Sequence, residues 1–398
     1  MRFKPLLNWK LTALAVAVAL SACGGGDDDD DNPLGINAVK VVGDSLSDSG
    51  TFAGVPGGPR IASVQGSADE PHVLWVERIA KAYDVKPLCP VYKFNGQTFT
   101  PNPQPGCTNY AIGGARINNP ASAGGAAAPL SIVKQLQDGA AAGWRDRDLV
   151  VIDGGGNDAA DLIGAYLAGG DLNTTASAYG ALVHSLVKDP GDWQTIFWTL
   201  PSTPRETAGA IYMQRLADSF ASAIKAQALD KGAKHVVVAN IPTITYTPRF
   251  QHVLDQIAAA QGGGTTGATA RAQAEGLFKN WINAFNQRLA ANFSGESRVK
   301  VVDVATRFTD QMTNPSKYGL TNATLPVCGA EWITVVPHRP LGECTAAALS
   351  ATTPPPGAPT GASWWQRFMF SDGFHPTPYG HQLFAEQVMD VLDEADWY

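Results

Sequence analysis

The sequence predicts an α/β fold, a three-layer α/β/α sandwich with a central, mainly parallel five-stranded sheet and loop insertions. Short apolar, β-branched segments alternate along the chain with longer helical patterns, as expected for parallel strands covered on both faces. The 398 residues are 44 % apolar and 16 % charged, which is enough for a large core and typical of a globular protein. This alternation favours right-handed crossovers between neighbouring strands.

The strands and helices follow from these patterns in chain order. The five predicted strands are residues 40–42, 109–112, 149–153, 235–241 and 300–304. The predicted helices are residues 73–83, 131–136, 159–168, 210–229, 270–292 and 381–394. Three stretches rich in proline, aromatic residues or cysteine are predicted surface insertions: residues 88–106, 189–205 and 325–365. The glycine-rich segment 261–270 is predicted as a flexible loop before a long helix.

The N-terminus is predicted to be a targeting segment. A basic start precedes the apolar stretch 11–20, which is too short to span a bilayer, so residues 1–22 are predicted to be a signal peptide. The sequence Leu20-Ser21-Ala22-Cys23 resembles a bacterial lipobox, which implies cleavage before Cys23 and lipidation of that residue. Residues 23–35 then form a Gly/Asp-rich tether and residues 36–398 a single domain.

This resemblance implies an exported lipoprotein at the outer membrane or cell surface, because Gly24 and not Asp follows Cys23. The alternative is an ordinary cleavage site with an incidental cysteine, which gives a secreted protein. In an exported chain the other four cysteines are expected to form disulfides between near neighbours, Cys89 with Cys107 and Cys328 with Cys344. A metal site is the alternative, but no C-x-x-C spacing supports it.

Four separated blocks carry the chemistry. Gly43-Asp44-Ser45 opens a string that runs to Gly50 after the first strand, and residues 109–115 form a glycine block. The third block is Gly155-Gly156-Asn157-Asp158, and the last is Asp372-Gly373-Phe374-His375. Together these blocks resemble the GDSL-type members of the SGNH hydrolases, a flavodoxin-like fold, over nearly the whole mature chain. No Gly-x-Ser-x-Gly sequence occurs, which argues against the α/β-hydrolase family.

The resemblance implies a Ser-His-Asp triad, and the residue chemistry agrees with it. Ser45 is the expected nucleophile, with a helix N-cap as its structural alternative. His375 is the expected base, and Asp372 is three residues away, close enough to orient its other ring nitrogen. The neighbouring His381 is expected to be structural, inside the last helix.

The expected oxyanion hole has three donors: the backbone N–H of Ser45, the backbone N–H of Gly114 and the side-chain amide of Asn157. Gly113 is the competing glycine. Asp44 and Asp48 are expected to favour a helix N-terminus electrostatically, and Asp158 to cap the next helix.

The predicted function is hydrolysis of carboxylic esters, with a small-molecule or lipid substrate and no metal or cofactor. An acyltransferase with the same site and a non-catalytic binding protein are the alternatives. The formal net charge of −7 argues against nucleic acid as a partner, and a monomer is expected. Six aromatic residues in the irregular stretches could line an acyl pocket or simply pack in the core: Phe94, Phe99, Trp193, Trp198, Trp364 and Trp365.

Overall fold

The central sheet of the computed structural model has four parallel strands in the order β1-β4-β5-β6. These strands are β1 (Ala38–Val42), β4 (Asp148–Ile152), β5 (His235–Ala239) and β6 (Val299–Val302). The structure describes residues 32–66, 74–199 and 202–398, and residues 32–398 form one compact unit. The predicted signal peptide, Cys23 and most of the tether lie outside the described residues.

Helices cover both faces of the sheet, so the predicted α/β sandwich is confirmed. Their bounds are α1 Trp75–Ala82, α2 Ile132–Ala142, α3 Gly156–Leu167, α4 Ala178–Leu186, α5 Pro190–Gln194, α6 Pro204–Gln227, α7 Pro248–Ala260, α8 Gly264–Asn292, α9 Val304–Thr313, α10 Ala346–Ser350 and α11 Pro378–Asp393. Alternate strand residues point to opposite faces. Val150 and Val238 pack in a core with α2, α3, α6 and α8, whereas Val41 and Val151 pack in a second core with α1 and α11.

The fifth predicted strand, residues 109–112, lies beside β1 but is not a regular strand. The Val41 N–H donates to Thr108 O at 3.0 Å, and Val41 O accepts from the Tyr110 N–H at 2.8 Å. The next bond of the ladder is missing, because the Gly43 N–H donates to the Gln135 side chain at 2.9 Å and not to Tyr110 O, although the Ile112 N–H still donates to Gly43 O at 3.2 Å. The central sheet of the described residues therefore has four regular strands, one fewer than predicted.

The predicted insertions contain short elements of their own. Residues 88–106 include an antiparallel hairpin, β2 (Tyr92–Phe94) with β3 (Phe99–Pro101). Residues 189–205 include α5 and a π-helical turn at Thr195–Thr199. The third insertion contains α10 and is flanked by a two-stranded parallel ladder, β7 (Asn322–Pro326) with β8 (Phe368–Phe370).

The predicted flexible loop at 261–270 is wrong over most of its length, since α8 already begins at Gly264. Gly267 shows why glycine is used inside this helix. A Cβ at this position would lie 2.4 Å from Ala258 O, so the missing side chain lets α8 approach α7 closely. The glycine marks a packing contact between two helices rather than a mobile connection.

Both predicted disulfides, Cys89–Cys107 and Cys328–Cys344, are present. Cys328 and Cys344 are fully buried in a small apolar cluster with Val64, Trp364 and Phe368. No helix within the described ranges combines the length and the apolarity that crossing a bilayer requires.

Candidate active site

Ser45 follows the carboxyl end of β1, where a parallel sheet commonly presents its functional residues. Residues 44–47 form a turn that does not lead into a helix, in contrast to the expectation for Asp44 and Asp48. The Gly43 N–H donates to Gln135 Oε1 at 2.9 Å, and the Leu46 N–H donates to Asp44 Oδ1 at 3.1 Å. The turn therefore rests on local hydrogen bonds that hold Ser45 in place without a helix.

Ser45, His375 and Asp372 are joined in one hydrogen-bonded chain. Ser45 Oγ lies 2.8 Å from His375 Nε2, and His375 Nδ1 lies 2.8 Å from Asp372 Oδ2. The ionised carboxylate accepts a hydrogen bond from Nδ1–H, so Nε2 is the free acceptor of the neutral ring. The structure thus brings together the three residues that the sequence predicts as a triad.

The Asp372 carboxylate is itself held by the backbone of the His375 loop. Its Oδ1 accepts the N–H groups of Phe374 and His375, each at 2.7 Å. Burial opposes ionisation, but the neighbouring His375 and these hydrogen bonds hold the pKa of Asp372 below its ordinary value. Burial also disfavours the imidazolium, yet the Asp372 carboxylate outweighs it and raises the pKa of His375.

Asp48 binds one of the two candidate glycines and not the other. Its Oδ2 accepts the Gly113 N–H at 2.8 Å, while its Oδ1 accepts the N–H groups of Gly50 and Thr51. Gly114 has φ +83° and lines the cleft with Ser45, and its N–H donates to no group within the described part of the chain. Among the described residues, the Gly114 N–H is therefore available to another acceptor, whereas the Gly113 N–H is not.

The Gly114 peptide is held from behind by an arginine that the sequence reasoning missed. Arg116 Nη1 donates to Gly114 O at 2.6 Å, and its Nε and Nη2 donate to the Asp161 carboxylate at 2.5 and 3.1 Å. A guanidinium held at two points cannot swing away easily, so the carbonyl it grips is also fixed. Arg116 follows the glycine block directly, which is the one signal that could have identified it.

Asn157 lies in the first turn of α3 and also lines the cleft. Its Nδ2 donates one hydrogen to Ala115 O at 3.0 Å, which leaves its second N–H for another acceptor. The adjacent Asp158 accepts the N–H groups of Ile117 and Asn118, and so it anchors the 115–118 segment rather than capping α3.

A buried pair of carboxyl groups lies behind the Ser45 turn. Asp153 Oδ1 accepts the Ser47 hydroxyl, and Asp153 Oδ2 lies 3.5 Å from the Asp44 N–H. Burial and the neighbouring Asp44 charge raise the pKa of Asp153 well above its ordinary value, and burial also raises the pKa of Asp44. The sequence reasoning missed Asp153, although a charged residue at the end of an apolar strand is unusual.

Trp75 of α1 connects the Ser45 turn with the helix that follows His375. Its Nε1 donates to Ser47 Oγ at 3.1 Å, and its ring stacks on Phe384 of α11 with centroids 4.3 Å apart. His381 is fully buried inside α11, as predicted, and burial lowers its pKa to about 3. A neutral, buried His381 is available for packing and not for proton transfer.

The cleft that contains these groups has a volume of about 480 Å³. Phe52 lines it, and the predicted aromatic residues Phe94 and Phe99 pack against Phe52 at centroid distances of 5.5 and 6.0 Å. Of the other aromatic candidates, Trp364 and Trp365 are core residues, Trp193 is half-buried, and Trp198 is 81 % exposed. Across the described ranges, no three His, Cys, Asp or Glu side chains are grouped so that they could hold a metal ion.

The chain was compared with family models, curated proteins and solved structures. Residues 39–388 match the sequence model of the GDSL-like lipase/acylhydrolase family. Lipase 1 of Photorhabdus luminescens is 26 % identical over 384 residues, which cover 90 % of this chain and 50 % of that protein. The chain thus spans about half the length of this curated relative. Among solved structures, an extracellular lipase from Streptomyces rimosus is 15 % identical with a TM-score of 0.39, covering 90 % of this chain and 99 % of that chain.

Proposed function

The chain belongs to the GDSL-like lipase/acylhydrolase family, and on that premise we propose that it hydrolyses carboxylic esters through an acyl-enzyme formed on Ser45. The observation that carries the proposal is the hydrogen-bonded chain Ser45–His375–Asp372. A serine hydroxyl becomes an effective nucleophile only when an adjacent base takes its proton, and His375 Nε2 is within reach of that proton.

In the first step Ser45 Oγ attacks the ester carbonyl carbon while His375 Nε2 takes the hydroxyl proton. The Asp372 carboxylate stabilises the resulting imidazolium. The carbonyl oxygen becomes an oxyanion, for which the free N–H groups of Ser45, Gly114 and Asn157 are the proposed donors. The tetrahedral intermediate collapses, the C–O bond to the alcohol breaks, and His375 returns its proton to the leaving oxygen.

The second step repeats this chemistry with water. His375 takes a proton from a water molecule, which attacks the acyl carbon and forms a second oxyanion in the same hole. Collapse breaks the bond to Ser45 Oγ, which recovers its proton from His375, and a carboxylic acid is released.

The esterase proposal is tested with p-nitrophenyl acetate, butyrate and palmitate. Wild type is expected to turn over at least one of them, and Ser45→Ala is expected to lower kcat by a factor on the order of 10⁴–10⁶. Ser294→Ala, a change at an exposed serine after α8, is the matched control and is expected to keep wild-type rates. No turnover by wild type, or equal turnover by Ser45→Ala, would contradict the proposal.

We further propose that the enzyme is exported and held at a membrane by lipid on Cys23. Support comes from the lipobox-like sequence and from the two disulfides, which persist in oxidising compartments. Buried acyl chains contribute roughly 0.8 kcal/mol per CH₂ to membrane binding. Wild type is expected in the membrane fraction and Cys23→Ser outside it, and wild type in the soluble fraction would contradict the anchor.

A further inference from the structure

Arginine side chains line the catalytic cleft, although the protein as a whole is acidic. Two arginines, Arg60 and Arg249, line the cleft of a chain whose formal net charge is −7. Asp48, the one acidic residue that lines the cleft within the described ranges, already accepts three backbone N–H groups, and Asp372 behind it is paired with His375. Among the described residues, Arg249 is therefore a cationic group that lines this cleft without a carboxylate partner.

Arg249 differs from Arg116 because its side chain has no partner among the described residues. Arg116 forms two hydrogen bonds with Asp161, but the Arg249 guanidinium forms no ion pair, hydrogen bond or ring contact with any residue of the described part of the chain. Arg249 is exposed at the cleft wall, where its five N–H donors are open to a ligand.

The position of this arginine on its helix is unfavourable for stability. Arg249 is in the first turn of α7, where the helix dipole is positive, and this turn contains no acidic residue. The N-cap residue, Thr247, also forms no side-chain capping bond. A positive side chain at the positive end of a helix dipole is unfavourable, so we expect it mainly where function requires it.

The backbone fixes Arg249 on the His375 side of the cleft. The Arg249 N–H donates to Gly373 O at 2.8 Å, and a Cβ on Gly373 would lie 3.4 Å from Arg249 Cβ. The positive charge of Arg249 also acts on His375, since it opposes protonation of the ring. The guanidinium is therefore close to the group that would protonate the leaving alcohol.

We propose that Arg249 binds an anionic oxygen group, a phosphate or a carboxylate, on the alcohol portion of the ester substrate. This inference rests on the proposed esterase function. His375 delivers its proton to the leaving oxygen, so the alcohol portion lies on the His375 side, where Arg249 projects. A guanidinium matches the two oxygens of a carboxylate or phosphate in a bidentate geometry.

Two matched substrate pairs with the same acyl chain test the proposal. The first pair is 4-carboxyphenyl butyrate with its neutral isostere 4-carbamoylphenyl butyrate. The second pair is 1-butyrylglycerol 3-phosphate with 1-butyrylglycerol. Wild type is expected to favour the charged member of at least one pair in kcat/KM by about tenfold, the range of a charge-assisted hydrogen bond. The preference should weaken with added NaCl.

The readout is the ratio of charged to neutral kcat/KM, which cancels any loss of folded enzyme. Arg249→Gln is expected to abolish the preference, Arg249→Lys to retain part of it, and Arg249→Glu to reverse it. Arg298→Gln is the control, because Arg298 precedes β6 at the opposite end of the sheet and pairs with Glu296. It should leave the ratio unchanged.

Each outcome separates this inference from the esterase function. A charge preference in the phosphate pair alone indicates that the alcohol portion of the substrate carries a phosphate. A preference in the carboxylate pair alone indicates that the alcohol portion is a hydroxy acid. A preference in both pairs indicates a site that accepts either anionic group. Turnover of all four esters without a charge preference, or with a preference that persists in Arg249→Gln, overturns the inference but leaves the esterase intact. No turnover of any ester contradicts the esterase proposal itself.

Discussion

His375 Nε2 lies 2.8 Å from Ser45 Oγ, although 330 positions separate the two residues in the chain. Ser45 is held by the turn after β1, and His375 is held by the loop before α11. Their contact therefore depends on the packing of distant elements, and not on a local motif.

The first prediction concerns pH. His375 must be neutral to accept the Ser45 proton, so kcat/KM is expected to rise with pH through the pKa of His375. Because Asp372 holds this pKa above the ordinary histidine value, the midpoint of this rise in the pH profile, its acidic limb, should lie above about pH 6.5. Asp372→Asn should move the limb to lower pH and reduce kcat by roughly 10²–10⁴. Asp390→Asn, at an exposed ion pair with Arg307, is the control, and an unmoved limb in Asp372→Asn would contradict the assignment.

The second prediction concerns Asn157. Asn157→Ala is expected to lower kcat by roughly 10²–10³ with little change in KM, because an oxyanion donor acts on charge that develops only in the transition state. Asn173→Ala, which changes an exposed loop asparagine, should have no effect. Steady-state kinetics on p-nitrophenyl butyrate separate the two parameters, and a change confined to KM would remove Asn157 from the oxyanion hole.

The third prediction concerns Arg116 and Asp161, which position the Gly114 peptide from behind. Arg116→Ala is expected to reduce kcat by about tenfold, because a small displacement of an oxyanion donor is costly. Asp161→Ala should cause part of this loss, and the double variant should be no worse than Arg116→Ala, since the two side chains act as one unit. Fully additive losses in kcat would argue against this arrangement.

The fourth prediction concerns Asp153 and stability. The raised pKa of Asp153 means that the folded protein binds a proton more tightly than the unfolded chain, so its stabilising contribution is complete at low pH and is lost as pH rises through the folded pKa. Asp153→Asn stays neutral and avoids this loss. We expect the free energy of unfolding of Asp153→Asn, minus that of wild type, to increase with pH by up to about 1.4 kcal/mol per pH unit. Urea unfolding at pH 5 and pH 8 measures this difference. A pH-independent difference would show that Asp153 is ionised in the folded protein.

The fifth prediction concerns the Cys328–Cys344 disulfide, whose cysteines are 16 positions apart. Replacing both cysteines with alanine should lower the free energy of unfolding by about 3 kcal/mol, since the unfolded chain gains freedom. Leu341 lies within this closed loop and lines the cleft, so KM for esters should rise as well. The Cys89→Ala/Cys107→Ala variant opens a loop of similar length that does not contain Leu341, so it should lose stability with a smaller change in KM.

The sequence predicted the four strands of the sheet because each is a short, continuous apolar run between helical patterns. It also predicted Ser45, His375 and Asp372, which lie in blocks with recognisable residue types. It failed at residues 109–112, where the distant Gln135 side chain takes the Gly43 N–H that a regular strand partner would bind, and at Gly267, where glycine serves close helix packing. A local pattern shows neither the distant Gln135 nor the helix that packs against Gly267.

Supporting residues escaped prediction for a related reason. Arg116 acts through Asp161, 45 positions away. Arg249 is informative because it lies near His375 and has no side-chain partner among the described residues. No residue spacing in the sequence indicates the contact of Arg116 with Asp161 or the position of Arg249 near His375. Asp153 could have been noted as a charge at a strand end, but its role needs the position of Asp44 and Ser47.

Trp75 touches the Ser47 hydroxyl on one side and Phe384 on the other, so one indole joins the nucleophile turn to the helix after the base. A protease that cut the chain between His375 and α11 would therefore disturb both halves of the site at once. The loss of α11 would uncover Trp75 and the apolar face it shares with Phe384. Such clipped molecules should be inactive and prone to aggregate, so catalytic activity also reports that the C-terminal helix is intact.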